Sequence, residues 1–184
     1  RRWLYTVGHT RYDPLYIANV EKYYDDWHGR DDKMLNFTSA PFDVDTEVTG
    51  HPVIDLHFKC SERDCAFFVY VSDITPDGKS VYVTEGVFRA LHRKEGKNPT
   101  NIPEIGPVHS FSTKDAEHLL PGEAASVSFD LLPTSYLFRA GHALRISIAA
   151  CDSDHFTRIP DGRPPLMTFL RGGEMASKIT LPVI

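Results

Sequence analysis

Residues 52–71 read PVIDLHFKCSERDCAFFVYV, and this stretch decides the fold. In its first half apolar and polar residues alternate, which is the period-two pattern of a strand with one buried face. The run 66–71 is apolar and rich in aromatic and β-branched residues, which indicates a strand buried on both faces. We expect the polar link at residues 61–64 to join the two strands as a hairpin.

Short strands separated by turn residues continue towards the C-terminus. The tripeptide Pro76-Asp77-Gly78 predicts a tight turn, and Gly86 predicts a bulge or bend in the strand that follows it. A weak helical pattern is confined to residues 16–24. Further strands are predicted at residues 126–131, 143–149 and 177–183. About eight short strands without interleaved helices favour an all-β fold, an antiparallel β-sandwich or jelly roll.

Length and charge exclude several classes of protein. A chain of 184 residues with 41% hydrophobic residues is long enough to bury one ordinary core. The net charge of −5 and the scattered basic residues argue against nucleic acid as a partner. No apolar run approaches the roughly 20 residues of a membrane helix, and the first residues hold no signal-peptide core. We therefore expect a soluble protein, and because the chain starts at Arg1 we expect a piece of a longer one.

The three cysteines are too few for a disulfide framework. Cys60 and Cys65 would face each other across the predicted hairpin, which leaves two alternatives open: a cross-strand disulfide or two free thiols.

No arrangement of residues in the sequence points to catalysis or metal binding. A serine hydrolase places its nucleophile in a Gly-x-Ser-x-Gly elbow, and that motif is absent. Polar residues do gather near the C-terminus, but they match no metal-binding spacing; they are His142, Asp152, Asp154, His155 and Asp161. We interpret them as polar loop residues and His142 as a hydrogen-bonded turn histidine. The sequence thus predicts no catalytic residue, no metal and no cofactor.

Arginines interrupt two of the apolar strands, at Arg89 and Arg145. Such a residue either faces solvent or pairs with an acid. For Arg89 we expect pairing, with Asp73, Glu85 or Asp130 as candidates.

Aromatic residues are concentrated before the first predicted strand. They line a ligand site or interface, or they pack the N-terminal segment over one end of the sandwich, and the second interpretation is favoured. The residues are Trp3, Tyr5, Tyr12, Tyr16, Tyr23, Tyr24 and Trp27.

Taken together, the motifs resemble a known family. Two of the stretches are residues 71–80 (VSDITPDGKS) and 138–149 (FRAGHALRISIA). The others are residues 30–42, 45–50, 84–90 and 177–184. In order and spacing these stretches resemble the C-terminal domain of X-prolyl dipeptidyl-peptidase and cocaine-esterase type hydrolases.

The resemblance implies a non-catalytic antiparallel jelly-roll β-sandwich of the galactose-binding-like type at residues 30–184. An N-terminal segment, residues 1–29, is expected to precede the sandwich and to pack on it. The α/β-hydrolase domain that carries the Ser-Asp-His triad in this family is absent from the chain and is the implied partner. The resemblance also implies that the segment before the sandwich helps to wall the substrate pocket, with Tyr23, Tyr24 and Trp27 as the expected residues. The isolated chain is then expected to be inactive. The alternative function is a free-standing module that binds carbohydrate or another ligand.

Overall fold

The structure, a computed structural model, describes residues 26–98, 106–152 and 156–184. Within these ranges the regular structure consists of ten β-strands and short 3₁₀ turns. The strands are β1 (Leu35–Thr38), β2 (Thr46–Gly50), β3 (Val53–Cys60), β4 (Ala66–Ile74), β5 (Ser80–Arg89), β6 (Ala124–Asp130), β7 (Thr134–Phe138), β8 (Ala143–Ala149), β9 (Met167–Phe169) and β10 (Lys178–Thr180). None of the helices in the described part of the chain is long and apolar enough to cross a membrane.

The first eight strands pair in a nested, antiparallel order. Strand β1 pairs with β8, β2 with β7, β3 with β6, and β4 with β5. Sheet I has the order β1-β8-β4-β5, and sheet II has the order β10-β3-β6 with β9 also on β3. Nested pairing of this kind is the winding of a jelly roll, so the antiparallel β-sandwich predicted from the sequence is confirmed.

The core lies between the two sheets. On β3 the alternating residues Ile54, Leu56 and Phe58 are at most 2% exposed. They face the inner side of β4, where Phe67 is fully buried and its ring lies 4.8 Å from that of Phe58 in an edge-on contact. The period-two pattern of residues 52–60 therefore does mark a strand with one buried face.

The predicted hairpin between the strands at 52–60 and 66–71 is wrong. Strand β3 pairs with β6, β9 and β10, whereas β4 pairs with β5 and β8. Residues 61–64 form an arch that carries the chain from sheet II to sheet I. Apolar faces that pack on each other across a core leave the same alternating pattern as neighbours in one sheet, so the pattern indicated burial and not pairing.

The turn at residues 76–78 is confirmed as the β4–β5 hairpin, with Gly78 at a φ of 88°. The bulge in β5 lies elsewhere than predicted, because Val71 pairs with Thr84 and Ser72 with Tyr82, which leaves Val83 as the extra residue. Gly86 instead allows a close approach between layers. A Cβ atom there would lie 2.5 Å from Cδ2 of Leu131.

Candidate functional site

The outer face of sheet I, which points away from the core, carries a second apolar cluster. We call it the outer-face cluster; its buried members are Trp27, Ala66, Phe68 and Tyr70, and its partly buried members are Met34, Tyr82, Ala149 and Ile159. The Trp27 ring is 6% exposed; its centroid lies 5.3 Å from that of Tyr70, edge-on, and 6.1 Å from that of Tyr82, stacked. Trp27 thus covers the face of the sheet and not one end of the sandwich. The other six aromatic residues of that prediction lie outside the described residues.

Backbone and side-chain hydrogen bonds to Ser80 fix the position of Trp27. The Trp27 amide donates to the Ser80 carbonyl over 2.8 Å, and the Ser80 amide donates to Oδ1 of Asp26 over 3.1 Å. The Ser80 hydroxyl donates to Oδ2 of Asp31 over 3.0 Å. Amide hydrogen bonds from His28 and then Ser80 lower the pKa of Asp26, because they stabilise its charged form. The segment from residue 26 to 31 is therefore held at the start of β5.

A buried ion pair ties the same segment to β8. Nη1 of Arg145 donates to Oδ2 of Asp31 over 2.7 Å, and Nε of Arg145 donates to Oγ1 of Thr38 over 3.0 Å. The Asp31 side chain is 2% exposed, whereas that of Arg145 is 25% exposed. Buried carboxylates are found where a cation and hydrogen-bond donors compensate for lost hydration, and Arg145 and Ser80 supply both.

A second ion pair lies at the opposite end of sheet I. Arg89 does pair with an acid, but the partner is Asp64, with Nε 2.7 Å from Oδ2, and not one of the three predicted candidates. Oδ1 of Asp64 also accepts hydrogen bonds from the amides of Cys65 and Leu91.

A cleft of about 590 Å³ opens beside the pair of Arg89 and Asp64. It is lined by Glu62, Arg63, Asp64, Arg89, His118, Thr157, Arg158, Ile159, Pro160 and Asp161. Its acids offset its arginines, so its charge selects for neither cations nor anions.

His142 belongs to a hydrogen-bonded cluster at the edge of the core. Its Nδ1 lies 2.9 Å from Oδ2 of Asp73, and the Tyr136 hydroxyl donates to the same oxygen over 2.8 Å. Desolvation, together with the bond to Asp73, raises the pKa of Tyr136 because both disfavour the phenolate. The cluster links β4, β7 and the turn before β8, which confirms that His142 is a hydrogen-bonded turn histidine.

Of the other residues near the C-terminus, Asp154 and His155 lie outside the described residues, and Cys151 is exposed. Within the described ranges, no group of three or more His, Cys, Asp and Glu side chains has the geometry of a metal site. Of the three residues expected to wall a pocket, Trp27 belongs to the outer-face cluster, whereas Tyr23 and Tyr24 also lie outside the described residues, as does the helical pattern at 16–24.

The fold and these side chains define a jelly-roll β-sandwich with an apolar outer face. The family model of the X-Pro dipeptidyl-peptidase C-terminal non-catalytic domain matches residues 14–174. The chain therefore belongs to this family, which confirms the resemblance seen in the sequence motifs.

Relatives place this domain in larger proteins. A protein of Mycobacterium bovis that carries a serine-esterase name is 45% identical over 161 residues, which are 88% of this chain and 26% of that protein. The cocaine esterase of Rhodococcus sp. is 26% identical over an alignment of 169 residues that covers 85% of this chain and 26% of the esterase. The chain thus spans about a quarter of the length of these relatives. A crystal structure of a CocE/NonD family hydrolase from Staphylococcus aureus covers 84% of this chain and matches with 31% of its own, at a TM-score of 0.68 and 21% identity, which supports the fold.

Proposed function

We propose that the chain is the accessory C-terminal β-sandwich of a serine hydrolase that acts on acyl esters or X-Pro peptides. In this proposal it packs on an α/β-hydrolase catalytic domain, stabilises that domain and shapes its substrate pocket. The membership of the non-catalytic domain family supports the accessory role. The relatives support the partner, since about three quarters of each lies outside the matched region.

The observation that carries the proposal is the apolar outer face of sheet I. The exposed face of an antiparallel sheet ordinarily carries polar side chains. On this face Phe68 and Tyr70 are at most 5% exposed, and Trp27 packs on Tyr70. Apolar surface remains accessible beside them, because Val87 is 36% and Phe156 is 41% exposed. This face is the docking surface that we assign to the catalytic domain.

Trp27 is the described residue that we assign to the substrate-pocket wall, together with Tyr23 and Tyr24. Its hydrogen bond to Ser80 and its contacts with two rings hold it rigidly, and a wall residue needs a fixed position. The segment before residue 30 would then connect the pocket to the sandwich. The boundary of the two parts at residues 29 and 30 is part of the same proposal.

A domain exchange tests the accessory role. The matched quarter of the Mycobacterium bovis relative is replaced by this chain, and hydrolysis of p-nitrophenyl esters and X-Pro p-nitroanilides is compared with that of the relative truncated by the same region. We expect the chimera to recover the thermal stability and turnover that truncation removes, while the isolated chain shows no turnover. Turnover by the isolated chain that a serine-directed inhibitor abolishes would refute the proposal. Binding on a glycan array without rescue of the truncated relative would favour the free-standing module.

Charge substitutions in the chimera test the docking face. Val87→Lys places a charge on the outer face of sheet I, and Leu137→Lys places one on β7 at a similar exposure of 39%. We expect the first to lower the melting temperature and turnover of the chimera and the second to leave both unchanged. Equal effects of the two changes would assign docking to another surface.

For the pocket wall, Trp27→Phe is expected to change KM for bulky acyl esters more than for small ones, and a uniform change would refute that role.

A further inference from the structure

Two buried cysteines meet where the chain crosses between the sheets. Cys60 ends β3 in sheet II, and Cys65 directly precedes β4 in sheet I. Their side chains point into the core and are 2% and 0% exposed. The two thiols are free, and both belong to the same hydrophobic core cluster. The change of sheet therefore brings together two thiols from successive strands that do not pair.

Backbone hydrogen bonds hold both cysteines in place. The Cys60 carbonyl accepts from the amide of Gly122 over 2.8 Å, and the Cys65 carbonyl accepts from the amide of Ala90 over 2.9 Å. Between them, the amide of Ser61 donates to the carbonyl of Leu166 over 3.0 Å. These hydrogen bonds fix the backbone at both ends of the arch that a disulfide between the two sulfurs would close.

We propose that Cys60 and Cys65 are an intramolecular disulfide site, oxidised by thiol–disulfide exchange when the chain folds in the presence of an external disulfide such as oxidised glutathione. The thiolate of one cysteine attacks the external disulfide, forms a mixed disulfide and releases one glutathione thiol. The second cysteine then attacks the mixed disulfide and releases the other. Two cysteine thiols are oxidised to one disulfide, and one oxidised glutathione is reduced to two thiols.

Because both cysteines are buried in the folded chain, the thiol–disulfide exchange takes place while the chain folds. Desolvation, with Cys60 beside it, raises the pKa of the Cys65 thiol and suppresses the reactive thiolate in the folded chain. External disulfides also have no access to a side chain that is fully buried. The oxidation state is therefore decided during folding, by the redox conditions of the compartment in which the chain folds.

The test uses the full chain with Cys151→Ser, which removes the exposed thiol. The protein is refolded with oxidised or with reduced glutathione, then unfolded and treated with N-ethylmaleimide. Before labelling, we expect the oxidised sample to be lighter than the reduced sample by about 2 Da, the mass of the two hydrogens lost on forming a disulfide. After labelling, we expect the oxidised sample to carry no N-ethylmaleimide. Trypsin cleaves after Lys59, Arg63 and Lys79, so the disulfide would join peptides 60–63 and 64–79.

Two labelled thiols or stable glutathione adducts in the oxidised sample would overturn the proposal. Cys60→Ala and Cys65→Ala, each combined with Cys151→Ser, are the matched controls; with one buried thiol left, they are expected to stay reduced or to keep a glutathione adduct. The same mass measurement on chain exported to an oxidising bacterial periplasm does not depend on refolding. There too a disulfide is expected, and free thiols would overturn the proposal.

Discussion

Replacing Arg145 with methionine is expected to destabilise the fold far more than the same change at Arg139, because the two arginines bind carboxylates of very different burial. Nη1 of Arg145 lies 2.7 Å from Oδ2 of Asp31, whose side chain is 2% exposed. Nη1 of Arg139 lies 3.2 Å from Oδ2 of Asp45, and these side chains are 65% and 48% exposed. The two variants thus remove the same group from a buried and from an exposed ion pair.

The burial determines the magnitude. Removing one partner of a buried ion pair leaves the other charge buried and uncompensated, which lowers the free energy of unfolding by about 3–5 kcal/mol. We expect the lower end, about 3 kcal/mol, for Arg145→Met, because the Ser80 hydroxyl still donates to Asp31 and water reaches a site whose arginine is a quarter exposed. An exposed pair contributes about 0–1 kcal/mol, so Arg139→Met should change little. For a domain of this size, the larger loss corresponds to a fall of roughly 6–12 °C in Tm.

Urea unfolding followed by circular dichroism measures both variants. A double variant, Asp31→Asn with Arg145→Met, adds a control, because it removes the uncompensated Asp31 carboxylate as well as the arginine. It should recover a large part of the stability lost in Arg145→Met. Equal losses for Arg145→Met and Arg139→Met, or a double variant no more stable than Arg145→Met, would refute the assignment of this pair as a buried clamp.

Three further predictions concern the core and its edge. Gly86→Ala is expected to cost about 1–3 kcal/mol by overpacking, whereas Gly172→Ala, whose Cβ meets no atom within 4 Å, should be neutral; equal urea midpoints would contradict this. Phe67→Ala empties a fully buried site and should cost about 3–5 kcal/mol by calorimetry, and a loss below about 1 kcal/mol would exclude it from the core. The raised pKa of Tyr136, due to desolvation and the bond to Asp73, keeps its proton in the folded chain, while the unfolded chain releases it above about pH 10. The unfolding free energy should therefore fall as the pH rises through this range, and less steeply in Tyr136→Phe; identical slopes would refute the idea.

The fold class could be predicted from the sequence because alternation records which side chains are buried. Strand partners could not, since β3 and β4 bury their faces against each other without pairing. Strands β1 and β2 were also missed, because their positions along the edges of the fold bury few side chains; of the four residues of β1 none is fully buried. Backbone pairing with β8 forms that strand, and backbone pairing leaves no hydrophobic period in the sequence.

The ion pairs show the same limit of the sequence: it indicates which kind of interaction a residue requires, but not which residue provides it. An arginine within an apolar strand requires an acid, and both Arg89 and Arg145 have one. The acids are Asp64, in the arch between the sheets, and Asp31, before β1. Each partner reaches its arginine through a change of direction of the chain that the sequence pattern does not record. The type of interaction was therefore predictable and the partner was not.

The apolar run at residues 66–71 indicates the candidate docking face more clearly than the aromatic residues near the N-terminus do. Residues 66–71 were predicted to be buried on both faces, and in β4 they are. A sandwich of two antiparallel sheets has one inner face for each sheet, so the outward residues of such a strand need a third layer to cover them. Trp27 supplies part of that layer, and Val87 leaves apolar surface beside it. A strand apolar on both faces in an all-β sequence thus indicates a third layer over the sandwich. Trp27 of this chain forms part of that layer, and in our proposal the catalytic domain extends it.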